Sequence, residues 1–344
     1  MTNPAEIRLL SVGTALPGPP IDNVALGRHF RMDALWQQWI DAFIGTRQRH
    51  LAVDLDTGEQ RATLAALGVE AARKALAASG TDPRDIDLVV LGTATPDALM
   101  PATVNVIADE LGIDGITTYQ LQSGCSGAVQ ALDLARQLLS TGRHRTALVI
   151  GGDVIVKHYV LDADLRKVPP AELVNFVLFG DGAGAAVLSA DPEAGDTAFR
   201  SAFVQLVGKG RPPGQVLEWF GPARPPGPDI AAHEDYKAIE ESVPVLAEEI
   251  LREILDGLDW KQDDLDYLLP PQLSVRMTDK ITRRLGVTGA REINCVGETG
   301  NNGNALVFFQ LDQVLNRLVP GDRLVGIAVE SSKWIKSGFA LEQL

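Results

Sequence analysis

Cys125 is the residue in this sequence best suited to covalent chemistry. It lies in the turn Gln122-Ser123-Gly124-Cys125-Ser126-Gly127, between a β-rich run at 117–122 and an amphipathic stretch at 128–139. If that stretch is a helix, the cysteine stands at its N-terminus, where the positive end of the helix dipole favours the thiolate. The flanking glycines allow a tight turn and close approach of a substrate. The pattern indicates a nucleophile for acyl groups, while a small thiol buried in a packed turn is the open alternative.

The elements around this turn predict an α/β fold. Short apolar runs at 7–13, 87–91, 117–122 and 146–150 read as strands. Residues 61–79 carry apolar side chains at helical spacing, and Gly80 follows as a helix C-cap. Strands that alternate with helices favour a buried, largely parallel sheet.

The second half of the chain repeats this plan. A helical pattern at 238–257 is followed by residues 264–269, which resemble residues 85–90 at an offset of 179. Residues 324–330 resemble 147–153 at an offset of 177. Two matches at nearly one offset indicate an internal duplication, although buried strands also resemble one another by chance.

The duplication predicts how the chain is divided. We assign residues 1–190 to an N-terminal half with Cys125, 191–232 to a linker and loop region rich in Pro and Gly, and 233–344 to a C-terminal half. The same offset maps the Cys125 turn onto the turn at Asn301. Because clefts in α/β sheets form where strands end and helices begin, the two turns are predicted to share one cleft.

Composition excludes several classes of function. The chain has 344 residues, of which 45 are acidic and 31 basic, with a formal net charge of −14. Such an acidic chain is a poor nucleic-acid binder, and no apolar run reaches the roughly 18 residues of a membrane span. The N-terminus lacks a signal-peptide layout, and two cysteines do not form a disulfide framework. We therefore expect a cytoplasmic protein with free cysteines.

Five stretches in order resemble the β-ketoacyl-acyl-carrier-protein synthase III (KAS III) family of the thiolase superfamily. They are Ile44 to Arg49, Gly92 to Asp97 followed by Pro101-Ala102-Thr103, Gly124 to Gly127, Phe179 to Gly184, and Gly300-Asn301. The resemblance implies a five-layered αβαβα fold built from two duplicated halves, usually a homodimer. It also implies acyl transfer through a cysteine thioester, with acyl-CoA or acyl-carrier protein as the donor substrate and no separate cofactor or metal.

The sequence departs from the family where its catalytic histidine is expected. The family triad is Cys, His and Asn, but Pro271 stands at the histidine's place, thirty positions before Asn301. By sequence, only His158 or His233 could reach the cleft from a loop, and a solvated or structural role is favoured for both. Removal of one preorganised donor typically costs about 10²–10³ in rate. Acyl loading on Cys125 is therefore better supported than decarboxylative carbon–carbon bond formation.

Other candidate residues follow from the same comparison. The backbone N–H near Ser332 is the candidate second oxyanion donor beside that of Cys125, and Glu330 is either a general base or a carboxylate that closes a strand end. Asn302 and Asn304 are candidate substitutes for the missing donor. The resemblance assigns Trp39, Arg47 and Arg276 to donor binding, with Arg283 and Arg284 extending a basic helix face. The loop at 180–184 reads as a structural turn that lines the cleft.

The predicted function is that of a KAS III-like acyltransferase in specialised, polyketide-type metabolism. It would load an acyl group from acyl-CoA or acyl-carrier protein onto Cys125 and pass it to a small-molecule acceptor. Two alternatives stay open. One is a decarboxylative Claisen-condensing synthase that works without the histidine, and the other is a non-catalytic subunit of a heterodimer.

Overall fold

The computed structural model describes residues 6–168, 170–218 and 232–344. The strands are β1 (Arg8–Ala15), β2 (Ile21–Asp22), β3 (Gln48–Arg49), β4 (Leu88–Thr93), β5 (Thr117–Gln122), β6 (Thr146–Asp153), β7 (Gly182–Ser189), β8 (Thr197–Leu206), β9 (Gln215–Leu217), β10 (Ala232–Glu234), β11 (Tyr267–Leu269), β12 (Arg291–Glu292), β13 (Arg323–Glu330) and β14 (Ile335–Gln343). The α-helices are α1 (Asn23–His29), α2 (Ala34–Trp39), α3 (Leu64–Ser79), α4 (Thr103–Glu110), α5 (Gly127–Ser140), α6 (Pro170–Leu178), α7 (Tyr236–Leu258), α8 (Val275–Leu285), α9 (Val296–Thr299) and α10 (Leu306–Val314). Within these ranges, no helix has the length and apolar character needed to cross a bilayer.

The main sheet shows the internal duplication directly. Its ten strands run in the order β12-β11-β13-β14-β8-β1-β7-β6-β4-β5. The N-terminal five and the C-terminal five, each numbered in chain order, both follow the order 3-2-4-5-1. The two groups join at a single register pair, Arg8 with Ala198. The same topology in both groups confirms the predicted duplication.

Helices cover the sheets in five layers. Helix α3 packs on β1, β6 and β7 at one outer face, and α7 packs on β13 and β14 at the other. Helix α5 lies in the middle, since it contacts β4 and β6 on one side and β8 and β14 on the other. Helix α10 contacts β1, β7 and β11 from the same central layer. This arrangement confirms the αβαβα fold.

The core lies mainly between the central helices and the two groups of strands. Ala128, Val129 and Leu132 of α5 join Phe308 and Leu311 of α10 in one fully buried cluster. Each large apolar side chain buried there contributes about 1.5–3 kcal/mol of transfer free energy. The central helices are therefore held rigidly, and so are the turns that precede them.

Most of the predicted elements are present. Helix α3 begins after Thr63, whose hydroxyl accepts the Ala66 N–H at 3.1 Å, and ends at Gly80 in the left-handed conformation. The sheet itself is mixed, so the expectation of a largely parallel sheet is wrong. Strand β4 is parallel to β5 and β6, whereas β6, β7 and β1 pair antiparallel. Alternation of strands with helices does not determine strand direction. Strands β6 and β7 are separated by α6 in the chain and still pair antiparallel.

The predicted linker at 191–232 needs correction, because β8 lies within it and pairs with β14 along its whole length. Residues 219–231 of the same region lie outside the described residues. Further along the chain, β12 ends at Glu292, and Cys295 is the N-cap of α9. The boundaries of the two halves themselves stay a prediction.

Candidate active site

Cys125 lies where the sequence predicts it, between β5 and α5. Ser126 is the N-cap of α5, and the helix starts at Gly127. No side chain of the turn itself caps the helix. Asn304 of the C-terminal half does so instead, since its Oδ1 accepts the Ala128 N–H at 2.9 Å. The start of the helix behind Cys125 is thus completed by the other half of the chain.

A buried carboxylate lies directly behind the cysteine turn. Glu330, at the end of β13, is only 4% exposed. Its Oε2 accepts the hydroxyl of Ser123 at 2.6 Å and that of Ser126 at 2.5 Å, and its Oε1 accepts the hydroxyl of Ser332. Glu330 thus closes a strand end, as one of its two sequence interpretations has it, and its three partners are side-chain hydroxyls rather than backbone groups.

Gly124 makes the close approach of this carboxylate possible. A Cβ at residue 124 would lie 3.2 Å from Glu330 Cδ, tighter than most real contacts. The glycine before the cysteine therefore provides room for Glu330. The sequence analysis attributed this glycine only to substrate approach and turn geometry.

The surroundings of Cys125 favour the thiol. Burial, followed by the nearby carboxylate of Glu330, raises the pKa of the Cys125 thiol to about 12. Desolvation penalises the charged form, and a neighbouring negative charge does so further. The expectation that the helix dipole alone would favour the thiolate is therefore not supported. A proton must leave this thiol when it reacts.

Asn301 shares a cavity with Cys125. Both residues line it, together with Pro271, Gln272 and apolar groups that include Leu306 and Val307. Asn301 is held by its N–H, which donates to the Leu178 carbonyl at 2.9 Å, and by its Oδ1, which accepts the Gly303 N–H at 3.0 Å. Its Nδ2 has no hydrogen-bond partner among the described residues and is the amide donor left for a ligand. The structure thus brings the two turns into one cleft, as predicted.

The neighbouring asparagines are already engaged. Asn302 Nδ2 donates to the carbonyls of Asp181 at 2.8 Å and Thr299 at 3.2 Å. Asn304 Nδ2 donates to Asp153 Oδ2 at 2.9 Å and to the Ser123 carbonyl at 3.1 Å. Both side chains are fully buried. Their role as substitute donors is therefore corrected to a structural one.

Asp153 is the centre of that buried network. Its Oδ1 accepts from Thr93, Ala94 and Thr95, and its Oδ2 accepts from the backbone and side chain of Asn304. Burial raises the pKa of this carboxyl. Gly303, with φ +56°, lies so close that a Cβ there would be 2.3 Å from Asp153 Oδ2. Only glycine fits at that turn.

A second cavity opens on the other side of Cys125. Glu330, Ser332, His158 and Asn175 line it together with the cysteine. The backbone N–H groups of Cys125 and Ser332 donate to no other described group, so both remain available for an oxyanion. Ser332 therefore lines the same cavity as Cys125, and its role as an oxyanion donor stays a prediction.

His158 reaches this cavity, although the sequence favoured a role away from it. Burial lowers the pKa of its imidazole to about 4, so the ring is neutral near pH 7. Its segment is held by Asp181, whose Oδ1 accepts the N–H groups of Ile155 at 2.6 Å and Val156 at 3.1 Å. The stretch 180–184 is structural as predicted, but β7 begins at Gly182, so only residues 180–181 form the turn, and none of the five lines either cavity of Cys125. His233 is exposed in β10.

Sequence reasoning missed Asn175 and Glu234. Asn175 is 2% exposed, and neither side-chain amide atom has a hydrogen-bond partner among the described residues. Glu234 lines the cavity shared by Cys125 and Asn301, and burial raises the pKa of its carboxyl to about 7. Glu234 accepts a hydrogen bond from Gln215 of the neighbouring strand. Neither residue stands in a motif, and no local pattern marks it.

The candidate donor-binding residues divide into two groups. Trp39 and Arg276 line an outer cavity whose lining includes Leu178, Tyr236 and Leu273, which also line the cavity of Cys125 and Asn301. Arg47 does not line it; its side chain pairs with Glu298. The structure therefore groups Trp39 with Arg276 and leaves Arg47 apart.

The predicted basic face on α8 is partly neutralised. Arg284 pairs with Glu248 at 2.8 Å, and Lys280 pairs with Glu240 at 2.8 Å. Arg276 donates to the carbonyls of Ala42 at 3.1 Å and Asp41 at 3.3 Å. In the described part of the chain, the exposed Arg283 is the α8 arginine whose guanidinium makes neither an ion pair nor a hydrogen bond.

The duplicated fold, with a cysteine before one central helix and an asparagine turn before the other, defines a protein of the thiolase superfamily. Residues 119–205 match the model of 3-oxoacyl-[acyl-carrier-protein (ACP)] synthase III, and residues 255–331 match the model of its C-terminal part. The β-ketoacyl-[acyl-carrier-protein] synthase III of Rhizorhabdus wittichii is 33% identical over 327 residues, which cover 92% of this chain and 93% of the relative. The chain therefore belongs to the 3-oxoacyl-[acyl-carrier-protein] synthase III family.

Two solved structures extend this comparison. AbyA1, described as a tetronic acid condensing enzyme, is 62% identical with a TM-score of 0.94, and the match covers 98% of this chain and 99% of AbyA1. The priming β-ketosynthase of the R1128 polyketide biosynthetic pathway is 27% identical with a TM-score of 0.82, over 100% of this chain and 98% of that structure. The predicted family is thus confirmed.

Proposed function

We propose that the protein is a KAS III-like acyltransferase of polyketide-type metabolism. It loads an acyl group from acyl-CoA or acyl-carrier protein onto Cys125 and transfers it to a second, small-molecule substrate. The observation that carries this proposal is the position of Cys125, which lines two cavities at once. The first cavity, shared with Asn301, suits the arm of an arriving thioester. The second cavity, shared with Glu330 and Ser332, suits the acyl group held on the sulfur.

The approach to the first cavity supports a thioester donor. The outer cavity of Trp39 and Arg276 adjoins the inner one through their shared lining residues. An indole ring and a guanidinium at the entrance fit the nucleotide and phosphates of CoA, or the phosphopantetheine of a carrier protein. Arg47 is assigned here by family resemblance only, because its side chain lies outside this cavity.

Two sets of hydrogen-bond donors would assist the acyl transfer. The N–H groups of Cys125 and Ser332 would hold the oxyanion of the tetrahedral intermediates through which the Cys125 thioester forms and breaks, and Asn301 Nδ2 would orient the second substrate. Donors of this kind stabilise an oxyanion more strongly when the protein holds them in position before the reaction. Both N–H groups belong to turns fixed by the Glu330 hydrogen bonds.

A condensing reaction is the second candidate, and a specific observation favours it. AbyA1, with 62% identity over nearly the whole chain, is described as a tetronic acid condensing enzyme. Pro271 lines the cavity beside Asn301 and offers no hydrogen-bond donor. We therefore propose that any condensation proceeds without the His–Asn pair on which decarboxylation relies in the family.

The edge of the sheet supports a homodimer. Strand β5 is the last strand on its side, and its outer edge is unpaired within the described ranges. Leu99 and Met100, which are 72% and 87% exposed, follow its neighbour β4. An open strand edge beside apolar side chains is a template for pairing with a second copy. Light scattering during size-exclusion chromatography measures the mass directly.

Intact-protein mass spectrometry tests the proposed function. The protein is incubated with a panel of acyl-CoAs and acyl-carrier-protein thioesters, and the mass of each adduct identifies the group that loads. A stable acyl adduct that disappears when an acceptor is added supports transfer. A chain that loads no donor would fit the non-catalytic subunit instead.

A further inference from the structure

Glu330 lacks the partner that a buried carboxylate usually has. Within the described ranges, no Lys, Arg or His pairs with it. Its partners are the hydroxyls of Ser123, Ser126 and Ser332, and Gln130 Nε2 in turn donates to Ser123 at 2.5 Å and to Ser126 at 2.8 Å. A hydroxyl can donate or accept a hydrogen bond, so the cluster surrounds Glu330 with exchangeable protons rather than with a fixed positive charge.

The cluster also lies around the nucleophile. Ser123 and Ser126 flank Cys125 in the chain, and the carboxylate packs against the backbone of Gly124. Glu330 and Ser332 line the same cavity as the thiol. A substrate in that cavity would therefore lie next to both the thiol and the Glu330 cluster.

The other candidate bases are less well placed. Pro271 occupies the first cavity without a basic atom. The pKa of His158 is lowered to about 4, which makes its neutral ring a weak base. Glu234 lines the first cavity, apart from the serine cluster. Asp153 lines the second cavity, but both its oxygens already accept hydrogen bonds from Thr93, Ala94, Thr95 and Asn304. Glu234 is therefore the rival carboxylate that the test addresses.

We propose that Glu330 is the general acid–base residue that moves the Cys125 proton in both half-reactions. This inference rests on the proposed function and deepens it. In loading, the thiol proton passes to the Glu330 carboxylate as Sγ attacks the donor carbonyl. The bond between that carbonyl and the donor sulfur breaks, and the proton passes on to the departing thiolate.

In transfer, the same residue acts in the other direction. Glu330 takes the proton of the acceptor's nucleophilic O–H or N–H as that atom attacks the Cys125 thioester. The bond between the acyl carbon and Sγ breaks, and Glu330 returns the proton to Sγ. Atoms and charges balance without a further reactant, and the thiol is restored for the next cycle.

The test compares two rates in E330Q and in the matched variant E234Q. The first is acylation of Cys125 by an acyl-CoA that loads the wild type, followed by rapid quench and mass spectrometry. The second is alkylation of Cys125 by iodoacetamide at pH 8, with Cys295 as the internal reference. Removal of general acid–base help costs about 10²–10⁴ in rate, so E330Q is expected to acylate at least about 100-fold more slowly.

Alkylation is expected to change in the opposite direction. Loss of the Glu330 charge lowers the pKa of Cys125, so more thiolate is present and E330Q alkylates several-fold faster. A residue that only suppresses the thiolate would speed both reactions when removed, and that result would overturn the proposal. A parallel fall in both rates would mark Glu330 as structural and overturn it as well.

Two further results decide the assignment. Glu330→Asp keeps a carboxylate and is expected to acylate at least about tenfold faster than E330Q; equal rates would contradict the proposal. If E234Q rather than E330Q loses acylation, the base is Glu234. If the wild type accepts no donor at all, it is the proposed function that fails, since E330Q is assayed only with a donor that loads the wild type.

Discussion

The side-chain amide of Asn304 donates to Asp153 Oδ2 at 2.9 Å, and this bond joins the two duplicated halves next to the nucleophile. Asn304 stands before α10 in one half, and Asp153 ends β6 in the other. The same asparagine caps the helix behind Cys125 through its Oδ1. One side chain therefore contributes both to the contact between the halves and to the start of α5.

Asn304→Ala is expected to lower the free energy of unfolding by about 2–4 kcal/mol. The substitution leaves the buried Ala128 N–H and Ser123 carbonyl without their side-chain partner and removes one of the two hydrogen bonds to Asp153 Oδ2, and unsatisfied buried groups cost about 1–3 kcal/mol each. Urea titration followed by circular dichroism measures the loss. Asp312→Ala on the exposed side of α10 is the control and is expected to change stability by less than about 0.5 kcal/mol.

Cys125→Ala is expected to abolish covalent acyl loading, whereas Cys295→Ala retains it. Both thiols have a pKa raised to about 12 by burial, so acidity does not distinguish them. Cys125 lines two cavities, while Cys295 is 4% exposed and its thiol contacts Gln272 Oε1 at 3.3 Å. Mass spectrometry after incubation with acyl-CoA gives the result, and acyl loading of the Cys125 variant would refute the mechanism.

Malonyl thioesters are expected to release little carbon dioxide with this protein. Decarboxylation needs stabilisation of the enolate, and Pro271 beside Asn301 removes one donor, which is worth about 3–4 kcal/mol. Labelled malonyl-CoA and malonyl-carrier protein are both offered, with trapped label as the measurement. Rapid release that is lost in Asn301→Ala would show instead that the protein is a decarboxylating synthase.

Glu234 is expected to make stability fall as the pH rises from about 4.5 to about 7. Burial raises its folded-state pKa to about 7 from the ordinary 4.5, so in this range the folded protein holds a proton that the unfolded chain has lost. The contribution of Glu234 to the free energy of unfolding is fully present below its unfolded-state pKa of 4.5. It is lost as the pH rises to its folded-state pKa of about 7. The effect is at most about 3 kcal/mol.

E234Q removes that dependence. The Tm of E234Q relative to the wild type is expected to rise between pH 4.5 and 7 and to stay constant above pH 7, as measured by scanning calorimetry in buffers of equal ionic strength. A constant difference across the range would show that Glu234 is already ionised in the folded protein.

The sequence by itself determined the duplication and the family, and it predicted Cys125 as the nucleophile. Cys125 and Asn301 stand in local motifs, and the offset of 177–179 residues relates the halves without reference to coordinates. Short motifs and buried strands follow from neighbours in the chain, which is why they can be predicted. Strand direction could not be predicted in the same way, because it depends on how α6 and the connecting loops return the chain.

Only the tertiary structure decided how the site is arranged. Glu330 lies 205 residues after Cys125 in the chain, yet its carboxylate binds both serines that flank the cysteine. The roles of Asn302 and Asn304 depended in the same way on distant partners, and so did the acidity of the thiol. Burial and charge at a site are sums over groups brought together by folding, and a linear pattern does not contain those distances.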